Sequence, residues 1–351
     1  MSPEATLSAR LTVDLDALAA NWRALDALSG GTASAVVKAD AYGLGAKKVG
    51  PTLARAGARR FFVALPDEGA ALRGALGPGP EICILGGFAP ADISLFRDHG
   101  LVPVLNSAAQ ARAWFDAMPG AAAGLQVDSG MNRLGMEAEE LASILPLPDA
   151  VGFVTSHLAC ADEPEHPQNA TQLAAFRAMT DGLGLPRSLA ATGGILLGEA
   201  FRFDFTRPGV GIYGGAPFTD ARAVVTLEAP IIQVRDVAPG ESVGYGAAWR
   251  ASQPAWIATI AAGYADGILR AAGQGGLSAF WQGRRLPLVG RVSMDLITLD
   301  VSRCEGIGPG AMIELLGTSQ GVDDVAAAAG TIGYEVLTSL GSRYARRYTG
   351  G

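Results

Sequence analysis

Apolar and polar positions change pattern about two thirds of the way along the chain. The opening segment alternates at 11–13 and then repeats at helical spacing through Leu15, Leu18, Trp22 and Leu25. Further apolar runs follow at 35–37, 61–65, 82–85, 101–105, 125–127 and 151–154, with weaker ones at 188–191 and 203–206. Helix-compatible stretches separate them, for example at 46–56, 67–76, 107–115, 137–145 and 169–181.

Short strands that alternate with single helices are typical of parallel β-structure with right-handed crossovers. About eight such units in ~200 residues favour a closed (β/α)8 barrel of the TIM type over an open sheet. Functional residues of such a barrel follow its strands at the C-terminal mouth. Lys38, the 128–133 segment, His157, Thr192 and Arg207 all fall directly after predicted strands.

After about residue 220 the pattern becomes strand-like, with little helical periodicity before Val322. The predicted strands are 226–229, 231–234, 256–260, 286–289 and 295–299, and Pro-Gly turns occur at 239–240 and 309–310. We therefore predict a barrel over 12–222 and a mainly β domain over 223–351. Residues 1–11 are candidates to pair with the second domain.

The composition indicates a large buried core and excludes several classes of partner. Hydrophobic residues make up 49% of the 351 positions and charged residues only 17%, which suits much buried surface and a subunit interface. The net charge of -7 argues against a nucleic-acid partner. The sequence shows no signal peptide and no apolar run of the ~18 residues needed to span a bilayer, so we expect a cytoplasmic protein.

Cysteine and histidine are too sparse to indicate a disulfide framework or a metal site. Cys83, Cys160 and Cys304 are odd in number and far apart, and we expect them to be buried thiols. The chain has 3 histidines, and none has metal-ligand spacing to another.

Lys38 is the leading catalytic candidate. The chain contains 27 lysines and arginines, of which only Lys38, Lys47 and Lys48 are lysine. An arginine stays charged, whereas a lysine in apolar surroundings can lose its proton and act as a nucleophile or base. Lys38 ends an apolar run and precedes a turn, which favours such a role.

The sequence K-A-D-A-Y-G from Lys38 to Gly43 resembles the cofactor-lysine motif of the alanine racemases, which depend on pyridoxal 5'-phosphate. Later segments match the same family in the same order, so the resemblance covers nearly the whole chain. It implies that Lys38 binds the cofactor covalently and is one of two catalytic bases. It also implies that Tyr42 reaches the cofactor phosphate.

The resemblance assigns other cofactor contacts to short segments of the chain. His157, in the histidine segment, would lie against the pyridine ring, and Arg207 would face the pyridine nitrogen. The remaining phosphate contacts would come from the hydroxyl of Thr192, the amides of Gly209 and Val210, and Tyr334.

The same resemblance assigns the substrate contacts and the second base. In D-S-G-M-N-R, from Asp128 to Arg133, the arginine would face the substrate carboxylate. Tyr264, Met294 and Asp295 belong to segments that resemble the entrance and carboxylate-binding loops. Tyr245, in V-G-Y-G, would be the second base, presented by the partner subunit of a homodimer.

The resemblance thus implies a racemase that interconverts L- and D-alanine by a two-base mechanism. We expect it to supply D-alanine as a peptidoglycan precursor, and the residues leave another pathway role open. Two alternatives stay open at this point. One is a racemase of broader or serine specificity. The other is a decarboxylase or a non-enzymatic carrier that uses the same cofactor and barrel.

Two other motifs favour different functions but lack the required context. The glycines at 209–214 spell G-x-G-x-x-G, with Glu228 beyond them, but Pro217 disfavours the helix that a dinucleotide site needs. G-T-S-Q-G at 317–321 matches a hydrolase nucleophile elbow, yet no histidine follows His166 to serve Ser319.

The chain departs from the family pattern at two positions. Gln126 stands where many members carry a lysine modified to a carbamate, whose negative charge orients the arginine that corresponds to Arg133. We hypothesise that a bound anion or the Gln126 amide replaces it, and that activity is indifferent to bicarbonate. Ala191 stands in place of a common asparagine and removes a hydrogen bond near the cofactor.

Overall fold

The computed structural model describes residues 8–351, so any pairing of residues 1–7 lies outside the described part of the chain. The chain forms two compact units. A barrel unit comprises Ala19–Ile212 and Pro217–Asp220, and a β unit comprises residues 8–18, Tyr213–Ala216 and Ala221–Gly351. No helix within residues 8–351 has both the length and the apolar character needed to cross a membrane.

The barrel unit contains a parallel sheet whose strands follow one another in chain order. The strands are Ala35–Val36, Arg60–Val63, Glu81–Ile84, Leu101–Leu105, Ala123–Gln126, Val151–Thr155 and Arg187–Ser188. Between the last and the first runs the extended segment 205–208. In it, Arg207 donates its N–H to Ala190 O (2.8 Å), and Thr206 O accepts from the N–H of Ser34 (2.9 Å). This eighth parallel segment closes the sheet and confirms the predicted (β/α)8 barrel.

Helices cover the barrel, and their bounds largely match the periodicity of the sequence. They are Leu15–Leu28, which is shared between the units, and Ala46–Ala56, Pro66–Leu76, Ile93–His99, Ala108–Ala117, Ala138–Ala142, Pro167–Thr180, Thr192–Leu196 and Glu199–Arg202. The stretch predicted at 137–145 is shorter because Pro146 and Pro148 follow it closely. The helix Ile93–His99 was not among the predicted stretches.

Aromatic rings fill the interior of the barrel. Phe62, Phe153 and Phe205 come from strands that are not neighbours, yet their ring centroids lie 5.6–6.4 Å apart. The guanidinium of Arg60 lies 4.9 Å from the Phe153 centroid and 4.5 Å from the Phe205 centroid. The interior is therefore a packed core, which leaves the C-terminal mouth as the place for chemistry.

One long strand, Val225–Val237, organises the β unit. It pairs antiparallel with Arg10–Asp14, Ala255–Ile260 and Met312–Leu316. The sequence predicted two strands here because Pro230 interrupts the apolar pattern. The strand nevertheless continues, and Pro230 O still accepts a hydrogen bond from the N–H of Ala261 (3.1 Å).

The other elements of the β unit complete a mainly β fold, as predicted. Arg10–Asp14 also pairs in parallel with the C-terminal strand Ala345–Thr349. The remaining strands are Ser242–Val243, Trp249–Arg250, Ser278–Trp281, Arg284–Pro287 and Ile297–Asp300, and the helices are Val322–Ala329 and Gly333–Ser339.

Candidate active site

Lys38 lies two residues beyond the strand Ala35–Val36, at the C-terminal mouth of the barrel. Its side chain is partly buried. Burial lowers the pKa of the Lys38 amine below its ordinary value, and the nearby guanidinium of Arg133 lowers that pKa further. The carboxylate of Glu68 opposes both effects. The surroundings therefore favour the neutral amine, which is the reactive form.

The four residues after Lys38 form a left-handed helical turn. Residues 39–42 have φ between 52° and 55°, although none of them is glycine. Such a conformation costs roughly 1–2 kcal/mol per residue, so contacts outside the turn must maintain it. Glu68 Oε1 accepts from the N–H of Ala39 (2.6 Å), and Asp40 Oδ1 accepts from the N–H of Ala46 (2.7 Å).

This turn brings the Tyr42 hydroxyl against Gly209. A Cβ at Gly209 would lie only 2.3 Å from the Tyr42 oxygen, so position 209 has room for glycine alone. Thr192 Oγ1 accepts hydrogen bonds from the N–H groups of Gly209 (3.1 Å) and Gly211 (3.3 Å). The Tyr42 and Thr192 hydroxyls thus lie close to two backbone amides, which in this structure donate to Thr192 Oγ1, and hydroxyl and amide groups of this kind suit a phosphate group.

Arg207 is a buried cation held by neutral groups. Its Nη1 donates to the carbonyl oxygen of Ser188 (2.8 Å) and to the Ser188 hydroxyl, and its Nη2 donates to the carbonyl of Ser156. Burial lowers the pKa of Arg207 to about 10. The guanidinium therefore stays charged near neutral pH and can donate hydrogen bonds without releasing its proton.

His157 is uncharged in this setting. Burial is the main reason that the pKa of its imidazole falls to about 3. The positive charges of Arg207, Arg133 and Lys38, in that order, also lower this pKa. Part of the side chain remains accessible at the barrel mouth. A neutral imidazole at this position is suited to packing against an aromatic cofactor ring.

Hydrogen bonds inside the loop that carries Arg133 stabilise it. Asp128 Oδ1 accepts from the N–H groups of Gly130 (2.8 Å) and Met131 (2.9 Å). Arg133 itself is exposed. Gln126 Nε2 donates to the carbonyl of Leu134 (3.1 Å), so the amide in place of the modified lysine supports the backbone next to Arg133.

The substituted position Ala191 immediately precedes the helix Thr192–Leu196. Its backbone forms a parallel bridge with Arg207. An alanine thus preserves the backbone link between Thr192 and Arg207, although it offers no side-chain donor.

In the β unit, Tyr245 is an exposed tyrosine on a tight turn. Its side chain is 71% exposed, and it begins the short turn Tyr245–Ala247. Gly244 and Gly246 on either side have φ of 75° and 69°. A Cβ at Gly246 would lie 3.1 Å from Nη1 of Arg291, so this turn has a cation beside it.

Tyr264 and Met294 lie on two loops that backbone hydrogen bonds join. The N–H of Tyr264 donates to Ser293 O (3.0 Å), and the N–H of Ala265 donates to Met294 O (2.9 Å). Gly263 makes this close approach possible, because a Cβ there would lie 2.3 Å from Met294 O.

Asp295 forms an ion pair with Arg343 (2.7 Å), which also lies 3.2 Å from the buried carboxylate of Asp266. Asp266 Oδ2 accepts from the N–H of Gly263 (2.9 Å), so this pair of carboxylates and one arginine braces both loops. Tyr334, the remaining predicted contact, is exposed on the helix Gly333–Ser339.

The structure thus brings all eight predicted site residues of the barrel unit to its mouth. These are Lys38, Tyr42, Arg133, His157, Thr192, Arg207, Gly209 and Val210. Tyr245, Tyr264, Met294, Asp295 and Tyr334 lie in the β unit.

Sequence reasoning missed the supporting residues, namely Glu68, Ser156, Gln172, Ser188, Asp266 and Arg343. One signal was available for Gln172. It occupies the inward stripe of a helix together with Asn169 and Phe176, and polar residues on such a stripe indicate buried hydrogen bonding.

Comparisons with known proteins agree along the whole chain. Residues 13–217 match the family model of the alanine racemase N-terminal domain, and residues 224–348 match that of the C-terminal domain. An alanine racemase from Cereibacter sphaeroides is 56% identical over 346 residues, which is 97% of this chain and 98% of that protein. One from Rhizobium meliloti is 46% identical and covers 100% of this chain and 99% of its own.

Solved structures give the same result. An alanine racemase from Bartonella henselae with covalently bound pyridoxal phosphate has a TM-score of 0.92 and 37% identity, over 98% of this chain and 100% of that chain. The biosynthetic alanine racemase from Pseudomonas aeruginosa has a TM-score of 0.91 and 38% identity, with the same coverage.

Proposed function

Because the chain belongs to the alanine racemase family, we propose that it interconverts L- and D-alanine with pyridoxal 5'-phosphate as cofactor. The observation that carries this proposal is a lysine with a lowered pKa at the barrel mouth, beside an arginine and an uncharged histidine. The resemblance seen in the sequence is confirmed at the level of the family.

The residues at the barrel mouth fit this cofactor. Lys38 supplies the amine for its aldehyde, and His157 supplies a neutral ring for one face of the pyridine. Tyr42, Thr192 and the amide of Gly209 would bind the phosphate, the amide by exchanging its bond to Thr192 Oγ1 for one to the phosphate. We include the amide of Val210 and the hydroxyl of Tyr334 among the phosphate contacts because the family motif places them there.

When bound, the cofactor withdraws electrons from the Cα of the amino acid and acidifies its proton. Arg207 keeps its own proton, because the pKa of the buried guanidinium remains near 10. At the ring nitrogen, where the family motif assigns it, Arg207 would therefore limit protonation. This setting favours removal and return of the Cα proton over more extensive rearrangement of electrons in the ring.

Inversion at Cα requires one base on each face of a planar centre. We assign Lys38 Nζ to one face and the phenol oxygen of Tyr245 to the other. Arg133 would bind the substrate carboxylate, and its charge also lowers the pKa of the Lys38 amine, after the larger effect of burial. The amide of Met294, with Tyr264 and Asp295 at the entrance, would complete the substrate contacts.

We further infer that the active protein is a homodimer in which Tyr245 of the partner subunit completes each site. Its 71% exposure supports this assignment, because a catalytic phenol offered to another copy must lie on the surface of its own chain. Location in the cytoplasm, expected from the sequence, and the preference for alanine over serine stay predictions.

The proposed activity is tested by incubating the purified protein with L-alanine in deuterated buffer. Chiral chromatography should show D-alanine formation, and mass spectrometry should show deuterium at Cα. Lys38→Ala should abolish both signals and the covalent attachment of the cofactor. Cofactor binding without either signal would contradict racemisation and would favour the carrier alternative.

A further inference from the structure

The helix Pro167–Thr180 turns an unusually polar face toward the barrel. Asn169, Gln172 and Thr180 are buried on the same stripe as Phe176. Gln172 has no exposed surface at all. A buried amide is costly unless its donors and acceptor are used, so its partners show what it holds.

Every hydrogen-bonding group of the Gln172 side chain has a partner. Its Oε1 accepts from the N–H of Ala159 (2.8 Å), and its Nε2 donates to the carbonyl of His157 (2.9 Å). The same nitrogen lies 3.4 Å from Ser129 Oγ. One side chain therefore clamps both sides of the His157 turn and reaches the loop that leads to Arg133.

Two further contacts extend this connection. The hydroxyls of Ser129 and Ser156 are 2.8 Å apart, and the carbonyl of Ser156 accepts from Arg207. One turn earlier on the helix, Gln168 Nε2 donates to the carbonyl of Gly130 (2.9 Å). Side chains of the helix therefore bond to the backbone at His157 and at Gly130, in the loop that carries Arg133. The Ser129–Ser156 pair links these contacts to the Ser156 carbonyl, which accepts from Arg207.

The strands beneath cannot supply this connection. The last hydrogen bond of the ladder between Ala123–Gln126 and Val151–Thr155 runs from the N–H of Val127 to Thr155 O (2.9 Å). Beyond that bond the two segments part: the N–H of Ser156 donates to Ser188 O of the next strand (3.1 Å), and the N–H of Asp128 donates to Met136 O within its own loop (2.9 Å). Side chains then provide the contacts between the two segments, and Gln172 is bonded to both.

We propose that Gln172 is a positioning residue that fixes the His157 turn and the Arg133 loop relative to each other, with Gln168 as an auxiliary contact to the loop alone. The inference rests on the proposed function for the roles of His157 and Arg133. Loss of the clamp should let the histidine ring and the substrate-binding arginine move independently.

The main test compares Gln172→Leu with Gln110→Leu, measured with the cofactor bound. Gln110 is a matched control, because its Oε1 also accepts a hydrogen bond from backbone just past a strand end, at Asn106 N (2.9 Å). That loop holds no proposed site residue. Both variants lose a helix glutamine that anchors a loop, so thermal unfolding should shift in both.

We expect Gln172→Leu alone to weaken cofactor retention and to raise KM for alanine, each roughly ten-fold, because net hydrogen-bond contributions are of that order. It should also shift the visible absorption of the bound cofactor. Gln168→Leu should raise KM and leave that absorption unchanged. If Gln172→Leu matched Gln110→Leu in cofactor retention, absorption and KM, the proposal would be overturned.

Gln172→Glu keeps the shape of the side chain and the oxygen that accepts from Ala159, but it loses both N–H donors. This variant is the second test of the proposal if Gln172→Leu fails to fold. It should shift the cofactor absorption as Gln172→Leu does, and an unchanged spectrum would also overturn the proposal. Cofactor retention and spectrum do not depend on the substrate. A wild type that binds cofactor without racemising alanine would therefore refute the proposed function alone.

Discussion

The two units present their site residues in opposite ways. In the barrel unit, Arg207 is 5% exposed and Thr192 is 1% exposed, and each is hydrogen-bonded to neighbouring groups. In the β unit, Tyr245 is 71% exposed and Met294 is 53% exposed. Arg207 and Thr192 are fixed by the fold of the barrel unit, whereas Tyr245 and Met294 are offered at the surface of the β unit.

This difference separates two tasks. A cofactor that stays bound through many turnovers benefits from rigid, desolvated contacts, which preorganise the site. A residue offered to a second copy of the chain must stay accessible until that copy arrives. Mutations in the barrel should therefore affect stability and activity together, while mutations at the exposed turns should affect activity alone.

Tyr245→Phe should give the largest separation of the two effects. Loss of a positioned acid-base group costs typically 10²–10⁴-fold in rate, so kcat should fall by about that factor. The melting temperature should stay the same, because the side chain is mostly exposed. Steady-state kinetics and calorimetry on the same preparation measure both. A drop in melting temperature that matched the drop in activity would contradict the comparison.

Arg207→Lys should lower stability and activity together. Lysine cannot reach both Ser156 and Ser188 with a planar fork, so one buried carbonyl loses its donor at a cost of about 1–3 kcal/mol. Urea unfolding should show this loss, and kcat should fall with it. Arg202→Lys, which alters an arginine in the same unit outside the proposed site, is the control. Unchanged stability would show that the buried contacts of Arg207 do not anchor it.

His157 should make the protein sensitive to acid. Its folded pKa of about 3 lies below the ordinary value of 6.5. Between those values the unfolded chain binds a proton that the folded protein does not, so the free energy of unfolding falls as the pH falls. This single group contributes at most about 1.4 kcal/mol per pH unit. In urea unfolding from pH 7 to pH 4.5, His157→Asn should flatten the slope. An equal slope would contradict the buried, neutral state.

Bicarbonate should have no effect on the rate, which is the smallest expected change. Gln126 cannot form a carbamate, and its amide supports the Leu134 carbonyl directly. Initial rates in buffer depleted of carbon dioxide and in added bicarbonate should agree. Gln126→Lys, which restores an amine, is the informative comparison. Reproducible activation of the wild type would refute the hypothesis.

The alternation of apolar and polar residues was sufficient to predict the barrel, including its weak eighth segment near residues 203–206. It could not predict the left-handed turn at residues 39–42, because three of its four residues are alanine or tyrosine, which do not favour positive φ. That conformation depends on Glu68, which is distant in sequence. At this turn the hydrogen bond to Glu68, a tertiary contact within the site, overrides the local backbone preference.

The candidate site shows the same limit. Motifs identified the residues that would touch cofactor or substrate, such as Lys38 and Arg207, because the chemistry restricts which residue types can serve. They did not identify the residues behind them, such as Gln172 and Arg343, because many side chains can donate to a carbonyl or brace a loop. Only the folded arrangement shows which ones do.

Subunit complementation tests the central claim most directly. Lys38→Ala and Tyr245→Phe are each expected to be nearly inactive, but a mixed dimer would contain one site with both bases intact. Random pairing of equal amounts, by co-expression or by refolding together, should recover about a quarter of wild-type activity. Activity no higher than the mean of the two separate variants, in a preparation shown to contain mixed dimers, would contradict a site shared between two copies.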